Sequence, residues 1–337
     1  MVANVLRLVP AEVEVQCESG ATILEAALDA GYFPRHSCRK GECLACESRL
    51  VSGEVRYPDG VDVGAVRPGH CLTCIAMPIG DVVVEALGVC ATPGRPVVKT
   101  GGRVLSVDRV SGDVSVVQLQ LPPDSGFRFA PGQYIDVVLR DGTRRSYSMA
   151  NQPGEDGHVE LHVRAVPGGR FSQHVYQRLK PRDLLRVEGP FGSFLLNPTR
   201  LPVVLVASGT GYAPIASFLR SHHDALQARG VAFYWGGHRE ADLYAIDEMR
   251  RWEATSENFR FVPVLSSPED SWRGRTGFVH LAVQEDIPDL SAFEVYACGN
   301  PLMIEAARTS FVAKSGLAPD RFFSDAFVIA APAASRA

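Results

Sequence analysis

Five cysteines in two short runs constrain this chain more than any other feature of it. HSCRKGECLACES (residues 36 to 48) holds Cys38, Cys43 and Cys46, and HCLTC holds Cys71 and Cys74. Two sets of metal ligands fit the spacing. Cys43-x2-Cys46 with Cys71-x2-Cys74 is the pattern of a zinc ribbon, a binding module, although residues 47 to 70 separate the pairs and Cys38 then has no role. Cys38, Cys43 and Cys46 at C-x4-C-x2-C, with one cysteine of the later run, is the plant-type spacing for a [2Fe-2S] cluster, and it makes the protein an electron carrier.

The remainder of the chain narrows the class. At 337 residues, 46% hydrophobic and 21% charged, it has the composition of a globular protein with two or three domains, each long enough to bury a core. A net charge of -4 without a basic run argues against nucleic acid as the main partner, because such binding needs a clustered cationic surface. MVANVLRLVPAEVEVQ lacks the charged start and apolar stretch of a signal peptide, and no apolar run approaches the roughly 20 residues that span a bilayer. A cytoplasmic protein with no membrane partner is therefore expected, and its eight cysteines are expected as thiols or metal ligands rather than disulfides.

Hydrophobic periodicity divides the chain. Residues 1–92 mix the alternating LRLVPAEVEVQC, the helical ATILEAALDAG and the strand GDVVVEAL, with the cysteines on loops between them. The Pro- and Gly-rich residues 93–102 read as a linker. Residues 103–198 are dominated by short strands separated by PPDSG, DGT, QPGEDG and PGG, the rhythm of a small antiparallel β-barrel. In residues 199–330 apolar strands alternate with helices, which predicts a doubly wound, mostly parallel sheet whose ligands sit at the strands' carboxyl ends. Residues 331–337 read as a frayed tail.

Several motifs carry chemistry. Gly209, Thr210 and Gly211 follow the apolar strand VVLVAS, where bare backbone can approach a phosphate at a helix amino terminus. Pro214 stands where a dinucleotide fingerprint has its third glycine. ACGNPLM ends another apolar strand at the same sheet edge, and Cys298 either faces a reacting ring there or is a small buried thiol. In RRSYSMAN, Arg145 and Tyr147 share one face of a strand and Ser146 and Ser148 the other; a cation beside an aromatic ring suits a flat ring system bearing a phosphate, and equally an ordinary exposed strand. Gly168-Gly169 opens a helix-like segment whose first amides are free for an anion. His238 and Arg239, after the strand VAFYWGG, are placed to meet a 2′-phosphate or to lie in solvent. No G-x-S-x-G, H-E-x-x-H or partnered carboxylate pair is present, as expected of a protein that positions cofactors rather than supplying acid and base.

In that order along the chain, CRKGECLAC, RSYSMAN, HVRAVPGGRFS, SGTGYAPI and YACGNPLM resemble the ferredoxin reductase type reductases of bacterial oxygenases. The resemblance implies a multidomain α+β and α/β protein: a β-grasp ferredoxin domain, a β-barrel flavin domain and a nucleotide domain. It implies FAD rather than FMN, because the iron-sulfur domain comes first. It assigns Arg145 to the flavin pyrophosphate, Tyr147 to packing against the flavin, and Ser148 to the neighbourhood of the reactive ring nitrogen. Gly169, Arg170, Phe171 and Ser172 become the helix start that receives the pyrophosphate, and Ser146, His162 and Val163 complete the flavin set. NADH, preferred here over NADPH, docks at Gly209, Thr210, Gly211, Pro214, Cys298, Gly299 and Pro301, with Ser148 and Cys298 as the catalytic pair.

In the family the fourth cysteine ligand is followed by three residues and often Pro, and CIAMPIGDVVVE fits that frame from Cys74. The implied ligands are Cys38, Cys43, Cys46 and Cys74, with Cys71 a bystander. Leu44 stands where the family usually has Gly, which bears on the loop geometry. The implied acceptor is a terminal oxygenase, with RSYSMAN and HVRAVPGGRFS most similar to reductases of Rieske aromatic ring-hydroxylating dioxygenases of the terephthalate and naphthalene type. YWGGHREADLY and FFSDAF are also similar to reductases that serve dehydration of CDP-linked deoxysugars, and a haem monooxygenase is a further acceptor class. A rival of another class is a zinc-ribbon module fused to a flavin sensor. Cys38→Ser or Cys74→Ser should remove the cluster while leaving FAD bound and reducible, and Cys71→Ser should keep it, as read by visible absorption and iron content. The reverse pattern would move the fourth ligand to Cys71.

Overall fold

A computed structural model describes residues 4–86, 89–91 and 97–328. Alternation sets the first strand: in β1 (Asn4–Val9) Leu6 and Leu8 face inward and Arg7 outward. β2 (Val13–Cys17) pairs antiparallel with it. α1 (Ile23–Asp29) starts at a capping box, in which Glu25 N–H donates to Thr22 Oγ1 and Thr22 N–H donates to the Glu25 carboxylate. β3 (Tyr32–Phe33), β4 (Glu47–Arg56), β5 (His70–Leu72), β6 (Met77–Glu85) and β7 (Cys90–Ala91) follow. The main sheet runs β2-β1-β6-β4-β5, with β1 parallel to β6 and the other pairs antiparallel. Ile23, Ala26 and Ala27 of α1 pack on Leu6, Leu8, Val82 and Val84, so the helix covers one face of a mixed sheet, a β-grasp arrangement.

The next region is all antiparallel: β8 (Val98–Arg109), β9 (Val114–Gln120), β10 (Tyr134–Val138), β11 (Arg144–Ser148), β12 (His158–Arg164) and β13 (Leu184–Phe191), with α2 (Arg170–Gln177) between the last two. The order β11-β10-β13-β8-β9-β12 is closed by an antiparallel bridge from Met149 to Leu161, which joins the edge strands into a barrel. Residues 98–102, read from the sequence as the end of a linker, instead form the first part of β8 and pair with β13. The Gly101-Gly102 pair that suggested a linker has a packing reason, since a Cβ on Gly102 would stand 2.9 Å from Leu121 Cδ2. Residues 93–96 of that linker and the tail 331–337 lie outside the described residues.

The last region comprises β14 (Val203–Ser208), α3 (Tyr212–Ser221), α4 (His223–Arg229), β15 (Val231–Gly237), α5 (Ile246–Thr255), β16 (Phe259–Leu265), β17 (Arg275–Thr276), α6 (Val279–Asp286), β18 (Glu294–Gly299), α7 (Pro301–Lys314) and β19 (Phe322–Ala326). Its sheet runs β17-β16-β15-β14-β18-β19 with every pair parallel. Both faces are covered: Leu205 and Ala207 belong to one core, Val204 and Val206 to another. Among the described residues, no helix is long and apolar enough to cross a membrane.

One buried ion pair ties this sheet to α4. Arg229 Nη2 lies 2.7 Å from a Glu294 carboxylate oxygen, with side chains 4% and 3% exposed, and Arg229 also donates to the carbonyls of Asn197 and Leu201. Arg229→Ala should destabilise the region by about 3–5 kcal/mol, because it leaves the Glu294 charge buried without a counter-charge, with the Tyr296 hydroxyl as its remaining close donor. Denaturant titration of the full chain, followed by intrinsic fluorescence, measures this.

Candidate functional site

Cys38, Cys43 and Cys46 lie on the loop between β3 and β4, and Cys74 follows β5. Their sulfurs form two pairs. Cys74 Sγ is 3.2 Å from Cys46 Sγ, and the hydrogen bond they share lowers the Cys46 thiol while raising that of Cys74. Donation from Cys43, with help from the amides of Lys40, Cys43 and Glu42, holds Cys38 down at about 6 against its burial. The Lys40 amide lies 3.4 Å from Cys38 Sγ and the Cys38 amide 3.5 Å from Cys43 Sγ. Two pairs of sulfurs with amides aimed at them fit a [2Fe-2S] cluster, in which each iron takes two thiolates.

The loop turns through positive φ at Arg39 (55°), Gly41 (80°) and Leu44 (55°). Leu44 therefore holds the left-handed conformation that a glycine would take, at a cost of about 1–2 kcal/mol, and turns its side chain outward to 37% exposure. Cys71 is placed differently. It sits on β5 opposite Ser48, is fully buried among Leu6, Leu8, Val82 and Val84, and burial pushes its thiol up to about 12. Cys46 and Cys74 belong instead to a separate cluster with Leu24, Leu28 and Phe33. Leu72, next to Cys71 on β5, faces the cluster that holds Cys46 and Cys74, so a ribbon using Cys71 would require β5 to exchange its two buried faces.

β11 lies beside this loop, and its alternation is the expected one. Ser146 Oγ donates to Asp136 Oδ1 at 2.7 Å and Ser148 Oγ to Asp325 Oδ2 at 3.3 Å, while the Tyr147 ring packs on Phe171 at 5.4 Å. Arg145 is half-buried and donates to the Arg144 carbonyl. α2 begins at Gly169 with no side-chain cap, so its first amides have no partner within the helix and suit a pyrophosphate. A Cβ on Gly169 would collide with Ser172 Oγ, which itself accepts from the Val166 amide. Arg170 pairs with Asp141. Val163 and Phe171 point into the barrel core, leaving only their backbone for a ligand. The His162 ring turns toward the nucleotide region, with Nδ1 2.8 Å from the Tyr244 hydroxyl and Nε2 3.0 Å from Glu160.

At the parallel sheet, β14 and β18 are neighbours, so their terminal turns meet. Gly209 has φ 53°, and a Cβ on Gly211 would collide with the Cys298 carbonyl oxygen. Gly299 has φ 123°, and its Cβ would collide with Ser208. Pro301 opens α7 behind an Asn300 cap, and Pro214 is buried in α3. Cys298 is fully buried in the core, which pushes its thiol well above the usual value. His238 Nδ1 lies 2.9 Å from Ser266 Oγ, and the His238 and Arg239 amides donate to Asp242. Arg239 lines a cavity of about 200 Å³ with Glu240, Leu265, Glu269, Ser271 and Trp272.

Sequence reasoning missed the carboxylates that join these parts. Asp325 sits on β19 in register with Cys298 and is 5% exposed; burial pushes it up to about 6 against donation from Ser37 and Ser148. Asp136, 1% exposed, accepts from Arg39 of the cysteine loop as well as Ser146. Trp272 was missed too. The available signal was a lone carboxylate inside the apolar strand segments QYIDVVL and FFSDAF.

Family models match the regions in order: a 2Fe-2S iron-sulfur cluster binding domain over residues 7–78, an oxidoreductase FAD-binding domain over 102–195 and an oxidoreductase NAD-binding domain over 205–309. The chain is 39% identical over 325 residues to the CDP-6-deoxy-L-threo-D-glycero-4-hexulose-3-dehydrase reductase of Yersinia pseudotuberculosis, covering 96% of this chain and 98% of that one. It is 35% identical to the terephthalate 1,2-dioxygenase reductase component 1 of Comamonas sp, covering 94% and 95%. The crystal structure of the Amycolatopsis cytochrome P450 reductase GcoB aligns with a TM-score of 0.83 at 33% identity, covering 97% of this chain and all of that one.

Gly211→Ala should force β14 and β18 apart, destabilise the parallel-sheet region by about 1–3 kcal/mol and weaken nicotinamide nucleotide binding. Calorimetric titration with NADH reads the loss, and an unchanged flavin content would place it in that region alone.

Proposed function

Because the chain belongs to the iron-sulfur flavoprotein reductases of the ferredoxin reductase superfamily, we propose that it passes electrons from NADH through FAD to a [2Fe-2S] cluster and on to a partner oxygenase. The observation that carries this reading is the pair of thiol pairs, Cys38 with Cys43 and Cys46 with Cys74, the first three cysteines lying on a loop joined to β11 through Asp136 and Asp325. Bound FAD supplies the conversion of a two-electron hydride into single electrons that a cluster can carry.

The side chains divide the work. Arg145 and the open amides of α2 hold the pyrophosphate, Tyr147 walls the ring system, and Ser148, whose hydroxyl hydrogen goes to Asp325, presents its oxygen to the reactive nitrogen. Gly209, Gly211 and Gly299 let the nicotinamide nucleotide approach the backbone, with the Cys298 side chain buried beneath the turn. The functional units run from the amino end to about residue 92, from Val98 to about 198, and from about 199 through β19. A cytoplasmic location follows from the need for nicotinamide nucleotide and reduced thiols.

NADH is preferred over NADPH because Glu240 and Glu269 outnumber Arg239 around the cavity beside β15 and β16, and two carboxylates repel a 2′-phosphate. An aromatic ring-hydroxylating dioxygenase is the acceptor supported by the terephthalate dioxygenase reductase relative. The second reading, reduction for a CDP-linked deoxysugar dehydrase, is favoured by the 39% identity to the Yersinia protein.

Under anaerobic conditions NADH should bleach both a flavin band and a broad iron-sulfur shoulder. A flavin band alone, with zinc in the metal analysis, would overturn the reading. Comparing kcat/KM for NADH and NADPH in the wild type and Arg239→Ala tests the nucleotide, and a win for NADPH that the substitution abolishes would reverse the preference. Supplying purified dioxygenase or dehydrase as acceptor separates the two partner classes.

A further inference from the structure

The residues around Cys38 direct their polar groups away from their own domain. His36 Nε2 accepts from the Gly192 amide at 2.9 Å, and its backbone N–H donates to Ser193 Oγ at 2.7 Å. Ser37 Oγ donates to Asp325 Oδ1 at 2.6 Å, and its carbonyl accepts from the Tyr134 hydroxyl at 2.7 Å. Arg39 pairs with Asp136 Oδ2, and its guanidinium lies 3.5 Å from the centroid of the Phe191 ring.

The two carboxylates repeat one arrangement. Asp136 takes Arg39 with one oxygen and Ser146 with the other. Asp325 takes Ser37 with one oxygen and Ser148 with the other. Each therefore joins a neighbour of Cys38 to a serine on the same face of β11, and each is almost completely buried. They come from different regions, Asp136 from the barrel and Asp325 from the parallel sheet. A carboxylate stripped of such partners in a buried site is strongly disfavoured, so the loop is held down at two points rather than resting loosely.

We propose that Asp136 and Asp325 form a double bridge that fixes the Cys38 loop against the flavin strand, and that Ser37 and Arg39 are positioning residues for electron passage from flavin to cluster. This rests on the reductase reading above. Each passage takes one electron from the reduced flavin and adds one to the cluster. Two passages discharge the two electrons of one hydride, provided that the protein acceptor takes the first electron from the cluster before the second arrives; the accompanying proton goes to solvent, and no bond to the protein forms or breaks.

The test compares Ser37→Ala and Arg39→Gln with the wild type, as full-length protein loaded with FAD and cluster. In anaerobic stopped flow with NADH, the flavin should bleach at the wild-type rate with unchanged KM, while the cluster bleaches about tenfold to 100-fold more slowly. Ferricyanide reduction, which draws on the flavin, should hold, and cytochrome c reduction should fall with the cluster rate. The EPR spectrum of the chemically reduced cluster should be unchanged. Small-angle scattering should show Arg39→Gln more expanded than the wild type. Cluster bleaching at the wild-type rate in both variants would overturn the proposal, as would slowing accompanied by an altered EPR spectrum, which would locate the defect in the cluster itself. A wild type that NADH does not bleach would sink the reductase reading instead; scattering would then decide the bridge, with equal dimensions for Arg39→Gln and wild type overturning it.

Discussion

A guanidinium from the cysteine loop, buried against a barrel carboxylate, is the contact on which the arrangement of this protein depends. Arg39 is 22% exposed and Asp136 only 1%, so both have given up most of their hydration. Such a pair adds little net stability compared with apolar packing, yet breaking it is expensive because one charge is left stranded. Its effect is to make one docking geometry much better than its neighbours. The Arg39 guanidinium over Phe191, and Tyr134 beside it, fix the approach angle, and Ser146 satisfies the second oxygen.

The loop that carries Arg39 is itself held in an unfavourable backbone state. Arg39 and Leu44 both have φ of 55°, where a side chain is tolerated at a cost. Amides that would otherwise point elsewhere are thereby turned toward Cys38 and Cys43. The strain is local, while what offsets it lies in other regions, at Asp136, Asp325 and Gly192. The cysteine loop is thus shaped as much by the barrel and the parallel sheet as by its own sequence.

Glycine performs a different task at the parallel sheet. Gly211 and Gly299 are required because β14 and β18 turn against each other so closely that a Cβ on either meets backbone or Ser208. Cys298, between these glycines in space, is buried in the core and contributes volume and a carbonyl to the turn.

Local periodicity was enough to read the three regions: alternation in β1 and β2, dense short strands from β8 to β13, and strand–helix alternation from β14 onward are each the product of neighbours in the chain. The cysteine spacing, the face-sharing of Arg145 with Tyr147, and the glycines after β14 were legible for the same reason. The linker was misread because Gly101 and Gly102 look like flexible chain until Leu121, distant in sequence, is seen packed against one of them. Spacing alone also left Cys71 and Cys74 as rivals. The structure puts Cys71 in the core under α1 and Cys74 with Cys46 and Leu72 in another, a division set by which side of β5 each residue takes once β4 and β6 are paired. Asp136 and Asp325 were out of reach for a deeper reason. A buried carboxylate is explained by its partners, and theirs, Arg39 and Ser37, are brought to them only by the docking of one domain on two others.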